Sequence, residues 1–397
     1  MKMRSALLCS LFFVIVVSVV HVRSSQALPA FARHEGVQCQ MCHFRMPELK
    51  EDAHSYIRRG FREELIETAP GGGMDMGKKE VGTPSTLGDP ATTAWQNYLS
   101  VMGSPTYEGH KNAQSGFHSG GIDMWVGGPI DAHWSAITNI AFEIEDGSVG
   151  VEQAYAQYNT SRREHFVSVR AGQLLPFAVL FNGGGAAMPV SAPVVMETPS
   201  RDEVPWALST LMRGVEVGAV NLPRWNAYLG AGQPDLEGVE SSSHTDVYAS
   251  AEYIMGESGS SVSAFGYKGK IQGTPGQPAI DYDRIALFAN AYAVDRLKAV
   301  LGLLWGKDSP NVGDSLNSSG GFLLGEYLLA ERWAGYARYD YAKRDVPAAD
   351  SETEDGPTLG VTYWAQTQIR LTVESQFLKT TGTSRDGSAV AELLWVF

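Results

Sequence analysis

The chain has 397 residues, of which 44% are hydrophobic and 10% aromatic, and 44 acidic side chains stand against 31 basic ones. A net charge of −13 argues against nucleic acid as a partner, because a phosphate backbone is held by clustered cations; small cations suit this balance better. Beyond the first twenty residues no segment approaches the roughly 18 apolar residues of a helical membrane span.

Lys2 and Arg4 precede an apolar run from Ala6 to Val20, and Ser25-Gln26-Ala27 offers small residues for cleavage after Ala27. Residues 1–27 therefore read as a secretory signal peptide. Its removal takes away Cys9 and three cations but no acid, so the mature chain is more acidic still and keeps two cysteines.

Both of those lie in Cys39-Gln40-Met41-Cys42-His43, the spacing of covalent c-type haem attachment. Each thiol adds across one haem vinyl group, and the adjacent histidine is left beneath the iron as an axial ligand. A zinc site needs further soft ligands, which the mature chain lacks. A thioredoxin-like pair belongs after a strand in a βαβ unit, whereas the flanks here are a charged helix and a loop. Residues 28–90 are expected to form a small cytochrome segment holding one covalent haem c through Cys39 and Cys42, with His43 as proximal iron ligand. Within it Leu49, Ala53, Ile57, Phe61 and Leu65 recur every four residues, predicting one amphipathic helix between Glu48 and Thr68 with Pro47 at its start. Gly71-Gly72-Gly73 and the Pro84 to Pro90 region make a punctuated connection.

Residues 91–397 change character. Ile369, Leu371, Val373 and Phe377 alternate with Gln368, Arg370, Thr372, Glu374 and Gln376. The same dyad runs through Trp134–Ile144 and Asp246–Met255 and returns at Leu393, Trp395 and Phe397. Segments of about ten residues with apolar and polar faces are the signature of a transmembrane β-barrel. About sixteen strands are expected, beginning near Trp95, Gly120, His133, Val149, His165, Trp206, Arg224, Thr245, Ser261, Tyr282, Arg296, Gly320, Arg332, Thr358, Gln368 and Ser388. Short connections such as 159–164, 220–223 and 256–260 alternate with longer polar ones such as 105–118, 175–205, 307–319 and 343–356. That asymmetry belongs to barrels of the outer membrane, with the short turns on the periplasmic side. The fold class is thus mostly β: a barrel in the bacterial outer membrane preceded by a helical haem segment, which enters from the periplasmic side. Trp134, Trp225, Trp305, Trp333 and Trp395 near strand ends suit the interfacial girdles, and Arg170, Arg338, Arg370, Glu143, Glu216, Glu252 and Glu374 suit a polar lumen.

Pro29-Ala30-Phe31-Ala32-Arg33 ahead of the haem motif, with Pro47-Glu48-Leu49 and Gly60-Phe61 after it, resembles the fused monohaem cytochrome–porins of iron-oxidising bacteria. Val169-Arg170-Ala171-Gly172-Gln173 with Pro176-Phe177 looks like a porin strand-end motif. The chain departs from the family pattern at His34 and at Asp52-Ala53-His54. The resemblance implies an electron conduit in outer-membrane lipid, in which extracellular Fe(II) gives electrons through the haem to a periplasmic c-type cytochrome; the chain is expected to act as a monomer. Two alternatives stay open: a diffusion porin whose cytochrome segment is a redox-sensing plug, and the same conduit run outward.

For the distal side of the iron, Met74 and Met76 on the glycine-rich connection are the first candidates, because a thioether raises the potential. His54 is the second, and His34 or an open site the third. Glu352, Glu354 and Asp355 are candidate loop carboxylates for Fe(II) at the outer mouth.

Overall fold

The computed structural model describes residues 43–45, 48–49, 51–61, 99–110, 115–118, 120–144, 147–161, 165–182, 190–197, 204–221, 224–236, 244–255, 259–272, 278–293, 296–346, 351–366, 368–383 and 386–396. Before the barrel lie the short strands β1 (His43–Arg45) and β2 (Glu48–Leu49), which pair His43 with Leu49, and helix α1 (Glu51–Arg58). Barrel strands β3 (Leu99–Gly103) and β4 (Thr106–His110) are two halves of one strand broken at Ser104-Pro105, and β5 (Gly116–His118) continues in β6 (Gly121–Pro129). There follow β7 (Trp134–Glu143), β8 (Val149–Asn159), β9 (His165–Leu174), helices α2 (Phe177–Asn182) and α3 (Val194–Glu197), β10 (Met212–Asn221), β11 (Trp225–Pro234) and β12 (Asp246–Met255). The second half comprises β13 (Ser260–Ile271), β14 (Ile280–Ala293), β15 (Leu297–Pro310), β16 (Leu316–Ala330), β17 (Trp333–Arg344), β18 (Glu352–Gln366), β19 (Ile369–Thr380) and β20 (Asp386–Val396). Among the described residues every barrel pairing is antiparallel. The ring closes where β20 meets β3 and β4, through Trp395↔Gly103 and Glu392↔Thr106, giving sixteen strands.

Alternation explains why these segments close into a barrel and which face turns out. Along β12, Val247, Ala249, Ala251, Tyr253 and Met255 are exposed on the outside, while Asp246, Tyr248, Ser250 and Glu252 are buried inside. A soluble sandwich would bury the first set and expose the second; the reversal fits a barrel set in lipid. Trp225 lies opposite Tyr253, Trp134 packs on Tyr158 with ring centroids 5.0 Å apart, and Trp333 packs on Tyr363 at 4.6 Å. These aromatics ring the short-turn end, where an interfacial girdle belongs. Among the described residues no helix is long and apolar enough to cross a membrane, so strands do the crossing.

Several strands reach further than the dyad pattern predicts. The strands expected at Gly320 and Thr358 start at Leu316 and Glu352, because beyond the lipid belt the outer face also becomes polar and alternation fades while the ladder continues. At the same end of β13 and β14, Lys268 faces Asp283 at 4.0 Å and Lys270 faces Asp281 at 3.5 Å, both pairs outside the barrel. The strand expected at Trp206 instead begins at Met212, and Trp206 is 3% exposed within the lumen. Helix α1 is shorter than its periodicity suggests. Gly60 takes a φ of +71°, Gly60 N–H bonds the Ile57 carbonyl, and Phe61 N–H bonds that of Tyr56. This is a Schellman stop, the αL turn that glycine permits after a helix; Leu65 and Thr68 lie outside the described residues.

Candidate functional site in the barrel lumen

Two bodies enter the lumen from the described chain. The first is the connection from β9 to β10, expected as a polar outer loop; it folds inward because its helical parts are apolar. Val179, Val195, Met196, Val204, Trp206 and Leu208 pack on the inner-wall residues Tyr248, Phe265, Tyr267, Tyr282, Phe322 and Leu324. Arg338 fixes it in place, its guanidinium donating to the Ser191 carbonyl at 2.5 Å and to the Ala192 carbonyl at 3.2 Å.

The second body is α1, which follows the Cys39–His43 motif after the short β1–β2 pair. Arg58 is fully buried, 2.5 Å from Glu252 of β12. The Arg58 carbonyl accepts hydrogen bonds from Gln157 at 2.7 Å and Asn159 at 3.0 Å, both on β8. Its guanidinium also lies over the Phe181 ring at 4.6 Å. One turn earlier, His54 is 5% exposed and stacks on the same ring, with centroids 4.3 Å apart. Phe61 is 3% exposed and joins a cluster with Ile137, Tyr155 and Leu174. Glu252 and Asn159 sit where β12 and β8 approach their short turns, so α1 occupies the short-turn mouth.

The expected lumen charges are largely where alternation puts them, and they are paired. Arg170 meets Glu216 at 2.5 Å, Arg338 meets Asp340 at 2.7 Å, and Arg370 bonds Glu392. Glu374 takes the Ser191 hydroxyl and the Tyr336 hydroxyl, the latter at 2.7 Å. Glu143 differs, being exposed at the end of its strand. Arg284, not singled out from sequence, forms a further buried pair with Asp308 at 2.7 Å. Burying these charges is tolerable because each cation has a carboxylate within direct contact.

At the long-loop mouth a cavity of about 160 Å³ is bounded by Val195, Trp206, Arg284, Ser318, Lys343 and Glu354. The three carboxylates expected in a loop here belong to β18, and two of the three share one face of it. Glu352, paired with Arg344 at 2.7 Å, and Glu354 both line the cavity, whereas Asp355 faces outward to accept the Tyr339 hydroxyl at 2.8 Å. Asp345, just beyond β17, accepts the backbone N–H of Asn317 at 3.0 Å, and that bond holds its carboxyl below the usual range.

Of the expected haem residues, Cys39 and Cys42 lie outside the described residues, as do Met74, Met76 and His34. His43 is described through its backbone pairing with Leu49, and His54 through its stack on Phe181. Sequence reasoning did not mark Arg58 or Phe181. A lone arginine on a helix resembles a solvated charge, and its partner lies 194 residues away in sequence.

No family model matches the chain, and no curated protein does. Solved structures do resemble it in fold. OmpT of Vibrio cholerae, in a loop L8 deletion form, aligns with a TM-score of 0.57 and 12% identity over 75% of this chain and 98% of its own. An anion-selective porin from Comamonas acidovorans gives 0.57 and 15% over 75% and 98%. The outer-membrane channel DcaP of Acinetobacter baumannii gives 0.56 and 12% over 76% and 96%. The inverted inside-out polarity and these neighbours agree: this chain is an outer-membrane β-barrel with a porin-like fold.

Proposed function

We propose that this barrel is an electron-transfer conduit of the outer membrane, with one c-type haem attached at Cys39 and Cys42 and ligated by His43. The observation that carries the reading is the seating of α1. The helix that begins at Glu51, eight residues after His43, is tied into the lumen by Arg58, His54 and Phe61, which supports a reading in which the preceding segment serves the short-turn mouth. A single haem cannot bridge a bilayer from beneath it; a segment held within the barrel shortens the distance that remains. The donor set fits the group: two thiols at the vinyl spacing, a neighbouring imidazole, and the short β1–β2 bracket that fixes the histidine's backbone. When bound, such a group supplies one-electron chemistry, with a potential set by axial ligand, burial and hydrogen bonding.

The chain's own residues contribute position and insulation. Arg58 and Glu252 hold the helix against the wall, and Phe181 and Phe61 exclude water around it. Met74 or Met76 would complete the ligation and raise the potential, with His54 as the alternative. In this reading the donor is extracellular Fe(II) and the acceptor a periplasmic c-type cytochrome.

The test uses proteoliposomes carrying the mature protein and an enclosed acceptor that cannot cross. External Fe(II) should reduce that acceptor, and Cys39→Ala or Cys42→Ala should abolish both the reduction and the covalent haem. Reduction of the haem from the periplasmic side alone would overturn the inward direction. Solute flux through the reconstituted wild type that haem removal in Cys39→Ala leaves unchanged, with no Fe(II)-driven reduction by the wild type, would support the diffusion porin, the reading that the porin-like fold favours.

A further inference from the structure

The cavity at the long-loop mouth lies between the inward connection, which presents Val195 and Trp206, and the ends of strands β14 to β18. Alternation decides what the strands present to it. Glu352 and Glu354 share one face of β18, and the ladder sets them opposite Arg344 and Ala342 of β17. Ser318 of β16 lies opposite Arg344 in turn. Ser318 and Ala342 are small, so they leave open the space that Trp206 and Val195 border. Its volume is about 160 Å³, and a cavity of about 150 Å³ holds a benzene-sized guest.

The charges around this space nearly cancel, and what is left over is negative. Arg284, whose guanidinium stands 5.4 Å from the Trp206 ring, meets Asp308 at 2.7 Å. Arg344 meets Glu352 at 2.7 Å. Lys343 follows Tyr339 and Tyr341 on the exposed face of β17, and its charge acts on Asp345 beyond the strand. Glu354 remains. It is half-buried, and among the described residues no hydrogen bond or ion pair holds its carboxylate; the charges acting on it, Asp340 and Arg344, oppose each other. The buried hydroxyl oxygen of Ser318 also has no hydrogen-bond partner.

We propose that this cavity binds a small organic ammonium ion, with Glu354 and Ser318 accepting its N–H groups and its apolar body against Trp206 and Val195. A largely apolar pocket with a few placed polar groups is the usual form of a small-molecule site. Here those groups are acceptors, which an ammonium ion satisfies and a carboxylate does not. Each arginine at the cavity already has its carboxylate, so an anion finds no charge of its own to meet. The site goes beyond the conduit reading and does not rest on it, since it uses no residue of the haem segment.

The test is calorimetric titration of the full mature protein in detergent with piperidinium, a cation of benzene-like size. Tetrahydropyran serves as the neutral ring of matching shape, and butyrate as the anion. One saturable site per chain is expected for piperidinium, with both comparison solutes binding at least about tenfold more weakly, as loss of a charge-assisted hydrogen bond implies. Glu354→Gln should weaken piperidinium binding by a similar factor, and Ala342→Leu, which fills the cavity and changes no charge, should abolish it. Heat-modifiable gel mobility identifies the folded barrels, and either variant alone decides the matter should the other fail to refold. Position is read from tryptophan emission, which piperidinium should alter in the wild type and not in Trp206→Phe. Unchanged affinity in folded Glu354→Gln or Ala342→Leu would overturn the proposal, as would absent wild-type binding or butyrate binding as tightly as piperidinium. An emission change that persists in Trp206→Phe would put the ligand elsewhere and overturn it too. Failure here leaves Fe(II)-driven reduction in proteoliposomes unaffected, and failure of that reduction leaves the isotherm unaffected.

Discussion

Arg58 shows how much one side chain can decide in this barrel. Its guanidinium is desolvated completely, which is costly unless the charge is paired and its donors are used. Glu252 supplies the charge, Asn226 at 3.0 Å orients that carboxylate, and Phe181 covers the guanidinium face. The pair is thus a lock between α1 and the wall, and removing one half leaves the other buried without its partner. Arg58→Ala should weaken the docking of α1 by about 3–5 kcal/mol, the usual cost of stranding a buried charge. Limited proteolysis reads this directly: cleavage within residues 51–61 should appear in the variant and not in the wild type, while the heat-modifiable barrel stays intact. Equal protection of both proteins would show that His54 and Phe61 hold the helix unaided. None of this is legible in a single sequence, because the lock joins residues that no local spacing relates.

At the level of elements, what the sequence makes legible is whatever lipid imposes. Where an outer face meets hydrocarbon, period two is enforced, and the strands from β7 to β9 and from β11 to β13 begin within a residue of where alternation puts them. Where strands pass beyond lipid, as at Leu316 and Glu352, that pressure is gone and the ends are hidden. Likewise the inward connection carrying α2 and α3 has no dyad to announce it, and its apolar residues read as part of a loop until the lumen is seen to bury them. One element boundary has a sharper cause. Gly172 on β9 has a φ of +138°, and a Cβ there would stand 2.1 Å from the Ala154 carbonyl oxygen of β8. That approach lets β9 lead into the inward turn at Leu175 and Pro176, so glycine in the Val169–Gln173 motif is a backbone requirement. Gly172→Val should break the β8–β9 ladder at this point, because the obstacle is backbone and has no rotamer to yield. The expected outcome is loss of most heat-modifiable, folded barrel on refolding, with Ala171→Val, on the same strand, as the folded control. Normal yields of the Gly172→Val barrel would show that β8 can move aside.

On the scale of the whole molecule, the question is what leaves the lumen closed or open. A sixteen-strand barrel is wide enough for an aqueous channel, and the described residues of this one supply two inserts of different origin. The inward connection is bound by a broad apolar cluster and by Arg338, and it belongs to the barrel's own wall. Helix α1 is bound through Arg58, His54 and Phe61, is capped by a Gly60 turn, and comes from the segment before the barrel. The two meet at Phe181, on which His54 and Arg58 both rest. Helix α1, which is not part of the barrel's own wall, is the insert whose release should open a path, because a local unit opens at lower free energy than the barrel around it. Single-channel recording in planar bilayers separates the two. The wild type should conduct weakly, and Arg58→Ala/Phe61→Ala should add long-lived openings of several-fold greater conductance, since both the ionic and the apolar anchor of α1 are then gone. Conductance identical to the wild type in a variant whose residues 51–61 have become protease-sensitive would assign closure to the inward connection alone. In that case α1 anchors the N-terminal segment without acting as a gate, and the proposed electron transfer would be independent of solute passage.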